Sequence, residues 1–85
     1  MNPRRLLARI QSSPHNVAFR DLVPVAGALG FILHHTSGSH RIFIHRTIAD
    51  AQLNLQPDGK DAKPYQIKQL LRLVEEYNLT LEESD

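Results

Sequence analysis

The fold of this chain is decided by eight residues, TSGSHRIF at positions 36–43. Strand-forming runs flank a turn here, with FILHH before it at 31–35 and RIFIH after it at 41–45. Gly38-Ser39 forms a two-residue loop with glycine first. A type II′ turn prefers that order because its first central position needs a positive φ. The stretch therefore predicts a β-hairpin that carries His40 at its mouth.

Pairing outward from the turn predicts the register of the hairpin and the two faces of the sheet. The expected pairs, starting at the tip, are Ser37–His40, Thr36–Arg41, His35–Ile42, His34–Phe43, Leu33–Ile44 and Ile32–His45. The face that we expect to meet the helices carries Phe31, Leu33, Ile42 and Ile44, with His35 and His40 towards the tip. The open face carries Ile32, His34, Arg41, Phe43 and His45. A register error of one residue would swap some of these assignments.

Two helices follow from capping residues and from apolar residues at helical spacing. The first covers residues 3–11, where Asn2-Pro3 supplies an N-cap and a proline at the first helical position. The last helix begins at Pro64, after a loop of turn-forming residues at 56–63. Asn78 is suited to end it in a left-handed conformation.

A further helix is expected within residues 17–29, but it contains Pro24, which a helix interior tolerates poorly. One solution makes Asp21 the N-cap of a shorter helix at 22–29, so that the proline falls in the first turn. The alternative is a longer, kinked helix. In both cases Gly30 follows the helix end in the position where glycine is favoured.

The QLNL segment at 52–55 alternates polar and apolar residues and predicts a third, short strand with its leucines inward. The order helix, helix, three strands, helix predicts an α+β fold, a two-layer sandwich with a three-stranded antiparallel sheet and helices on one face. Without its first helix this is the α-β-β-β-α order of double-stranded-RNA-binding domains. We expect one domain over 1–85, with a helical extension at 1–16, a core at 17–79 and an acidic, frayed tail at 80–85.

Composition narrows the class of protein. The chain has 85 residues and no cysteine, so it is one small domain without disulfide or thiolate chemistry, which fits a reducing cytoplasm. No run approaches the roughly 20 apolar residues of a membrane span, and no long apolar stretch follows the basic N-terminus. The net charge is only +1, but basic and acidic residues are separated along the chain. Residues 22–49 lack acidic side chains and hold four of the five histidines, whereas residues 75–85 are acidic.

Histidine is the residue type with the most chemistry to offer. His34 and His35 are adjacent in a strand and should point to opposite faces, and His34 with His45 makes at most a weak two-ligand site, so we expect no metal or other cofactor. No acidic residue lies near enough in sequence to orient His40 as a Ser-His-Asp triad requires. RNA cleavage needs only a base for the 2′-hydroxyl proton and donors for the phosphate. His40 is a candidate base, beside the N–H groups and hydroxyl of Gly38-Ser39.

The whole pattern resembles the HicA (YcfA-like) toxin family. The resemblance is carried, in order, by ALGF at 28–31, GSHRIF at 38–43, a short third strand and Lys63-Pro64 before an amphipathic helix. It runs from about Phe19 to Leu79. It implies a fold like that of double-stranded-RNA-binding domains. It also implies a small ribonuclease that cuts mRNA without the ribosome, arrests growth and is neutralised by a HicB-type antitoxin.

The family's histidine corresponds to His40, and two positions depart from the family pattern. Pro24 lies where members usually continue a helix, and Arg41 stands where many members have a second histidine. If the chemistry needs two histidines, the second must come from elsewhere, such as His35 or His45.

Three functions stay open on the sequence alone. The leading one is a cytoplasmic, metal-independent mRNA endonuclease with His40 as general base. Its expected RNA contacts are Gly38, Ser39, Arg41, Lys60 and Lys63. His34, Phe43 and His45 could form a further RNA-facing surface, although Phe43 could equally be core. The second function is a non-catalytic RNA-binding module of the same fold, and the third is an interaction protein without salt-dependent affinity for RNA.

Overall fold

A three-stranded antiparallel sheet with helices on one face is the centre of residues 2–82, the part of the chain that the computed structural model describes. The elements in order are α1 (Pro3–Ser12), α2 (Phe19–Ala28), β1 (Phe31–Ser37), β2 (His40–His45), β3 (Gln52–Leu55), β4 (Pro57–Asp58), β5 (Asp61–Ala62) and α3 (Pro64–Tyr77). β2 is the central strand, between β1 and β3. The predicted α+β class is confirmed, including the additional N-terminal helix.

The first helix begins as predicted. The side chain of Asn2 accepts a hydrogen bond from the backbone N–H of Arg4 at 2.8 Å, which satisfies one of the free donors of the first turn. Leu6 and Ile10 are spaced by one turn, and both are buried against the core. Burial of this stripe holds α1 on the molecule.

The start of α2 differs from the prediction. The helix begins at Phe19 rather than after Asp21, and Pro24 lies inside it at an exposed position. A backbone hydrogen bond fixes this start, because the Phe19 N–H donates to the carbonyl of Lys60 at 2.9 Å. Asp21 as N-cap was therefore wrong, and the longer helix is the correct alternative. Its N-terminus is anchored by backbone pairing instead of a side-chain cap.

A two-stranded ribbon occupies the stretch that the sequence predicts as a loop. β4 and β5 pair across the turn Gly59-Lys60, where Gly59 has a φ of +64°. The ribbon is tied to the chain before α2, since Ala62 donates its N–H to the carbonyl of Val17 at 2.8 Å. It therefore forms one wall beside the start of α2.

The hairpin turn has the predicted form, but the register changes below it. Gly38 has a φ of +61° and Ser39 has no positive φ, as a type II′ turn requires. The three predicted pairs nearest the tip are present. His34 is then an extra residue, a β-bulge, because Leu33 pairs with Phe43 while His35 pairs with Ile42. The remaining pairs, predicted without the bulge, were wrong by one residue.

The bulge reverses the predicted faces of β2. Phe43 pairs with the buried Leu53, so it belongs to the helix-covered inner face and is only 4% exposed. Alternation then places Ile42 and Ile44 on the outer face, opposite the exposed Asn54 and Gln52. The expectation that the two isoleucines meet the helices was wrong, and so was the open position of Phe43.

The last helix and the chain after it are well anchored. Ile67 and Leu70 of α3 are fully buried, and Asn78 ends the helix with a φ of +52°, as predicted. The predicted fraying of the tail is wrong at its start, because the Glu82 N–H donates to the carbonyl of Ala28 at 2.6 Å and its carboxylate pairs with Arg46. Positions 83–85 of the predicted tail lie outside the described residues.

Candidate functional site

His40 is the first residue of β2 and lies half-buried on the outer face of the sheet. The prediction that placed it on the helix-facing side was wrong, because burial of Phe43 fixes the alternation of the strand. Its Nδ1 is 3.1 Å from the side-chain oxygen of Asn54 on β3. An amide oxygen can only accept, so Nδ1 is the donor in this contact, and in the neutral ring the lone pair is then on Nε2. The contact therefore sets the tautomer in which His40 can take up a proton at Nε2.

A second set of contacts ties the hairpin tip to the start of α3. Gln56 donates from its side-chain nitrogen to the hydroxyl of Ser39 at 3.0 Å and accepts from the ammonium of Lys63 at 3.5 Å. The backbone N–H of Gln56 donates to the side-chain oxygen of Gln66 at 2.8 Å, and Gln66 is 2% exposed. The buried glutamine thus fixes the loop that brings Lys63 close to the turn beside His40.

Arg41 and Lys60 do not join this group. Arg41 follows His40 in the strand and so lies on the opposite face, where its guanidinium carbon is 5.0 Å from the centre of the Phe19 ring. Lys60 lines the same cleft, between the start of α2 and the β4–β5 ribbon. Of the predicted RNA contacts, the structure brings Gly38, Ser39 and Lys63 towards His40 and places Arg41 and Lys60 in a separate cleft.

The profile of one protein family, described as HicA toxin of bacterial toxin-antitoxin, matches residues 19–75. The chain belongs to the HicA toxin family. The matched region begins at the first residue of α2 and ends within α3, so it includes the sheet and both sets of contacts around the turn. Membership of a toxin-antitoxin family implies an antitoxin as partner. No curated protein sequence and no solved structure matches the chain significantly.

Two histidines of this HicA-family chain were candidates for a second one at the site. His35 pairs with Ile42 and so lies diagonally opposite His40 on the same face, whereas His45 is distant from it. His45 is at the far end of β2, about 16 Å away at the usual rise of a strand. It has a structural role: its Nδ1 accepts from the N–H of Thr47 at 3.2 Å, and its ring meets Phe31 edge-on at 5.6 Å. His45 is therefore not the second histidine of the site.

The sequence suggested that the side chains of His34 and His35 point to opposite faces, but in the structure they lie together. The bulge brings their Nδ1 atoms to 3.0 Å from each other on the exposed strand. The expected proximity of His34 to His45 on one face was also wrong, because Phe31, three residues before His34, occupies the position opposite His45. Within residues 2–82, no group of three or more histidine, cysteine, aspartate or glutamate side chains could hold a metal ion.

Two residues of the site were missed in the sequence. Asn54 was missed because the sequence placed His40 on the helix-facing side with the leucines of the third strand, which left Asn54 on the other face. With His40 on the outer face, Asn54 reaches it from the position opposite Ile42. Gln56 has no signal in the sequence either, since its position depends on the buried side chain of Gln66 and on the path of the following ribbon. Phe43 is excluded as a stacking surface for RNA by its burial.

None of the helices in the described part of the chain has the length and hydropathy to cross a membrane.

Proposed function

We propose that this HicA-family chain is a metal-independent endoribonuclease that cleaves mRNA in the cytoplasm, with His40 as its general base. The observation that carries the proposal is the contact between Nδ1 of His40 and the side-chain oxygen of Asn54 on the open face of the sheet. A neutral histidine held in this tautomer presents a proton acceptor to solvent. Its position at the mouth of a glycine-serine turn supports action on a phosphodiester.

The proposed step uses the 2′-hydroxyl of RNA as the nucleophile. Nε2 of His40 takes the hydroxyl proton while the 2′ oxygen attacks phosphorus. The bond between phosphorus and the 5′ oxygen breaks, the 5′ oxygen takes a proton from water as it leaves, and His40 then returns its proton to solvent. The products are a 2′,3′-cyclic phosphate and a 5′-hydroxyl end. Asn54 continues to accept from Nδ1 and stabilises the positive charge that His40 acquires.

The phosphate would be held by groups around the turn. Gly38 and Ser39 offer backbone N–H groups and a hydroxyl, and Lys63 adds a positive charge that Gln56 holds near the tip. Donors and cations that face the phosphate stabilise the charge that develops on its oxygens during attack. The cations Arg41 and Lys60 would act on the other side of the sheet.

The proposed partner is a HicB-type antitoxin that covers the outer face. Ile32 is 56% exposed there, and its neighbours Ile42 and Ile44 on β2 are only half-buried. A partner laid on this face would bury these isoleucines together with His40. Inhibition of the toxin would then follow from loss of access to Nε2.

The test compares the wild-type protein with His40→Ala and with His15→Ala, which removes an exposed histidine from the loop after α1. An unstructured RNA is incubated with each protein in the presence of a chelator. We expect cleavage with a 2′,3′-cyclic phosphate end from the wild type and from His15→Ala. In His40→Ala the rate should fall by about 10²–10⁴-fold, the usual contribution of a general base.

Each other outcome points to a different function. RNA binding by all three proteins without cleavage would make the chain a non-catalytic RNA-binding module. No salt-dependent RNA binding by any of them would favour a role confined to protein partners. Cleavage that stops in chelator would contradict the metal-independent mechanism. Growth arrest on expression in a bacterial host, relieved by His40→Ala and by a co-expressed antitoxin, would support the toxin function in cells.

A further inference from the structure

We propose that the cleft on the helix-facing side of the sheet binds a second phosphodiester of the same RNA strand, next to the one that is cut. The inference rests on the proposed function, because the ligand is the RNA substrate. It adds Arg20 to the RNA-binding residues and separates Arg41 and Lys60 from the site of cleavage. The cleft would contribute to the affinity for substrate and would take no part in the chemical step.

The cleft combines a concave shape with positive charge. It has a volume of about 530 Å³ and is open to solvent between the start of α2, the start of β2 and the β4–β5 ribbon. Arg20, Arg41 and Lys60 line it, together with a single acidic residue, Asp61. Among residues 2–82, none of these three cations has an ion-pair partner within 4.0 Å. Three unpaired cations around one opening favour an anionic ligand.

Arg41 is the residue that points most directly to a ligand. Its guanidinium lies against the Phe19 ring, and its Nη1 is buried without a hydrogen-bond acceptor in the described part of the chain. A buried charged donor without an acceptor is unfavourable. The rest of Arg41 is partly exposed and lines the cleft, where an arriving acceptor can contact the guanidinium. Phosphate oxygens match the planar guanidinium in geometry and in charge. Packing on Phe19 keeps the group aligned for such a contact.

Position in the fold makes an RNA phosphate the favoured anion. His40 and Arg41 are consecutive residues at one end of the central strand, with side chains on opposite faces. A single phosphate group cannot contact both faces, whereas an extended strand that crosses this end of the sheet presents neighbouring phosphates to each. The anion at Arg41 is then a phosphate beside the scissile one.

The experiment uses the full chain with His40→Ala, so that RNA is bound but not cut. Arg20→Gln and Lys60→Gln are combined, because both side chains are exposed and neither is part of the buried core. The matched control combines Lys68→Gln and Arg72→Gln, which remove two exposed charges from α3. Binding of an unstructured oligoribonucleotide of roughly 12 nucleotides is measured as a function of salt.

We expect the cleft variant to weaken binding and to reduce the slope of log K against log salt by about 0.7, the contribution of the one phosphate of single-stranded RNA that is no longer neutralised. The α3 control should keep the original slope. In a background with His40 intact, the cleft variant should raise KM for the long RNA by a larger factor than it lowers kcat, because the cleft contributes to affinity for the substrate.

Two results would overturn the inference while the proposed function stands. The first is an unchanged salt slope in the cleft variant, with cleavage still dependent on His40. The second is weaker binding of the antitoxin by that variant with unaltered RNA binding, which would assign the cleft to a protein carboxylate. Absence of RNA binding by the His40→Ala protein, together with neither binding nor cleavage of RNA by the wild type, would overturn both the inference and the proposed function.

Discussion

Replacing Asn54 by alanine tests whether the outer-face contact controls the chemistry of His40. The bond from Nδ1 to the amide oxygen is 3.1 Å long, and Asn54 is exposed, so its removal should not disturb the core. A hydrogen bond between neutral groups contributes about 1 kcal/mol, and one to a charged group about 1.5–3 kcal/mol. As the proposed general base, His40 would be neutral before proton transfer and charged after it. The barrier should therefore rise by about 0.5–2 kcal/mol, a loss of roughly 2- to 30-fold in kcat.

The measurement is single-turnover cleavage of an end-labelled RNA, with thermal unfolding recorded for each protein. Gln52→Ala is the matched control, because Gln52 lies two residues earlier on the same exposed face of β3. Asn54→Asp should retain most of the activity, since a carboxylate also accepts from Nδ1–H. The reasoning is refuted if Asn54→Ala cleaves at the wild-type rate, or if Gln52→Ala loses as much activity at unchanged thermal stability.

Three further changes test the frame that positions the site, each by thermal unfolding. Gly30→Ala should destabilise the fold by about 1–3 kcal/mol or more, because Gly30 has a φ of +101° and an added Cβ would clash with Nε2 of His45; a wild-type melting temperature would contradict this. Deleting His34 should lower the free energy of unfolding by about 2–3 kcal/mol, because Phe31 would turn out of the core. His34→Ala keeps the bulge, so its free energy of unfolding should stay within about 0.5 kcal/mol of the wild type. Equal melting temperatures for the deletion and for His34→Ala would refute the role of the bulge. Pro24→Ala should stabilise the protein by about 2 kcal/mol, because the helix interior regains a backbone donor at a small cost in the entropy of the unfolded chain. A lower melting temperature would show that packing of the proline ring stabilises the fold.

Features that depend on neighbouring residues were predictable from the sequence. Asn2 at the first helix start, the Gly38-Ser39 turn and Asn78 at the last helix end each act through a side chain or a φ value that their own position requires. The third strand follows from two leucines at alternating positions, both of which are fully buried. Such local requirements do not change when the rest of the chain packs around them.

Features that depend on distant packing were not predictable. The start of α2 is set by a backbone bond to Lys60, forty-one positions after Phe19 in the chain. The role of Gln56 depends on the burial of Gln66, which lies in the first turn of α3. In the candidate site, His40 was found because its turn is local. Its partner Asn54 was missed because it comes from another strand.

The side of the sheet on which the candidate site lies follows from the burial of two phenylalanines. With an unbroken register from the Gly38-Ser39 turn, Phe31 and Phe43 would fall on opposite faces, but both are at least 96% buried on one face. Burying a phenylalanine contributes about 1.5–3 kcal/mol, whereas an interrupted ladder loses about one hydrogen bond of 0.5–1.5 kcal/mol. The extra residue at His34 is therefore favoured. Once Phe43 faces inward, alternation along β2 directs His40 to the open face beside Asn54, and it directs the next residue into the basic cleft.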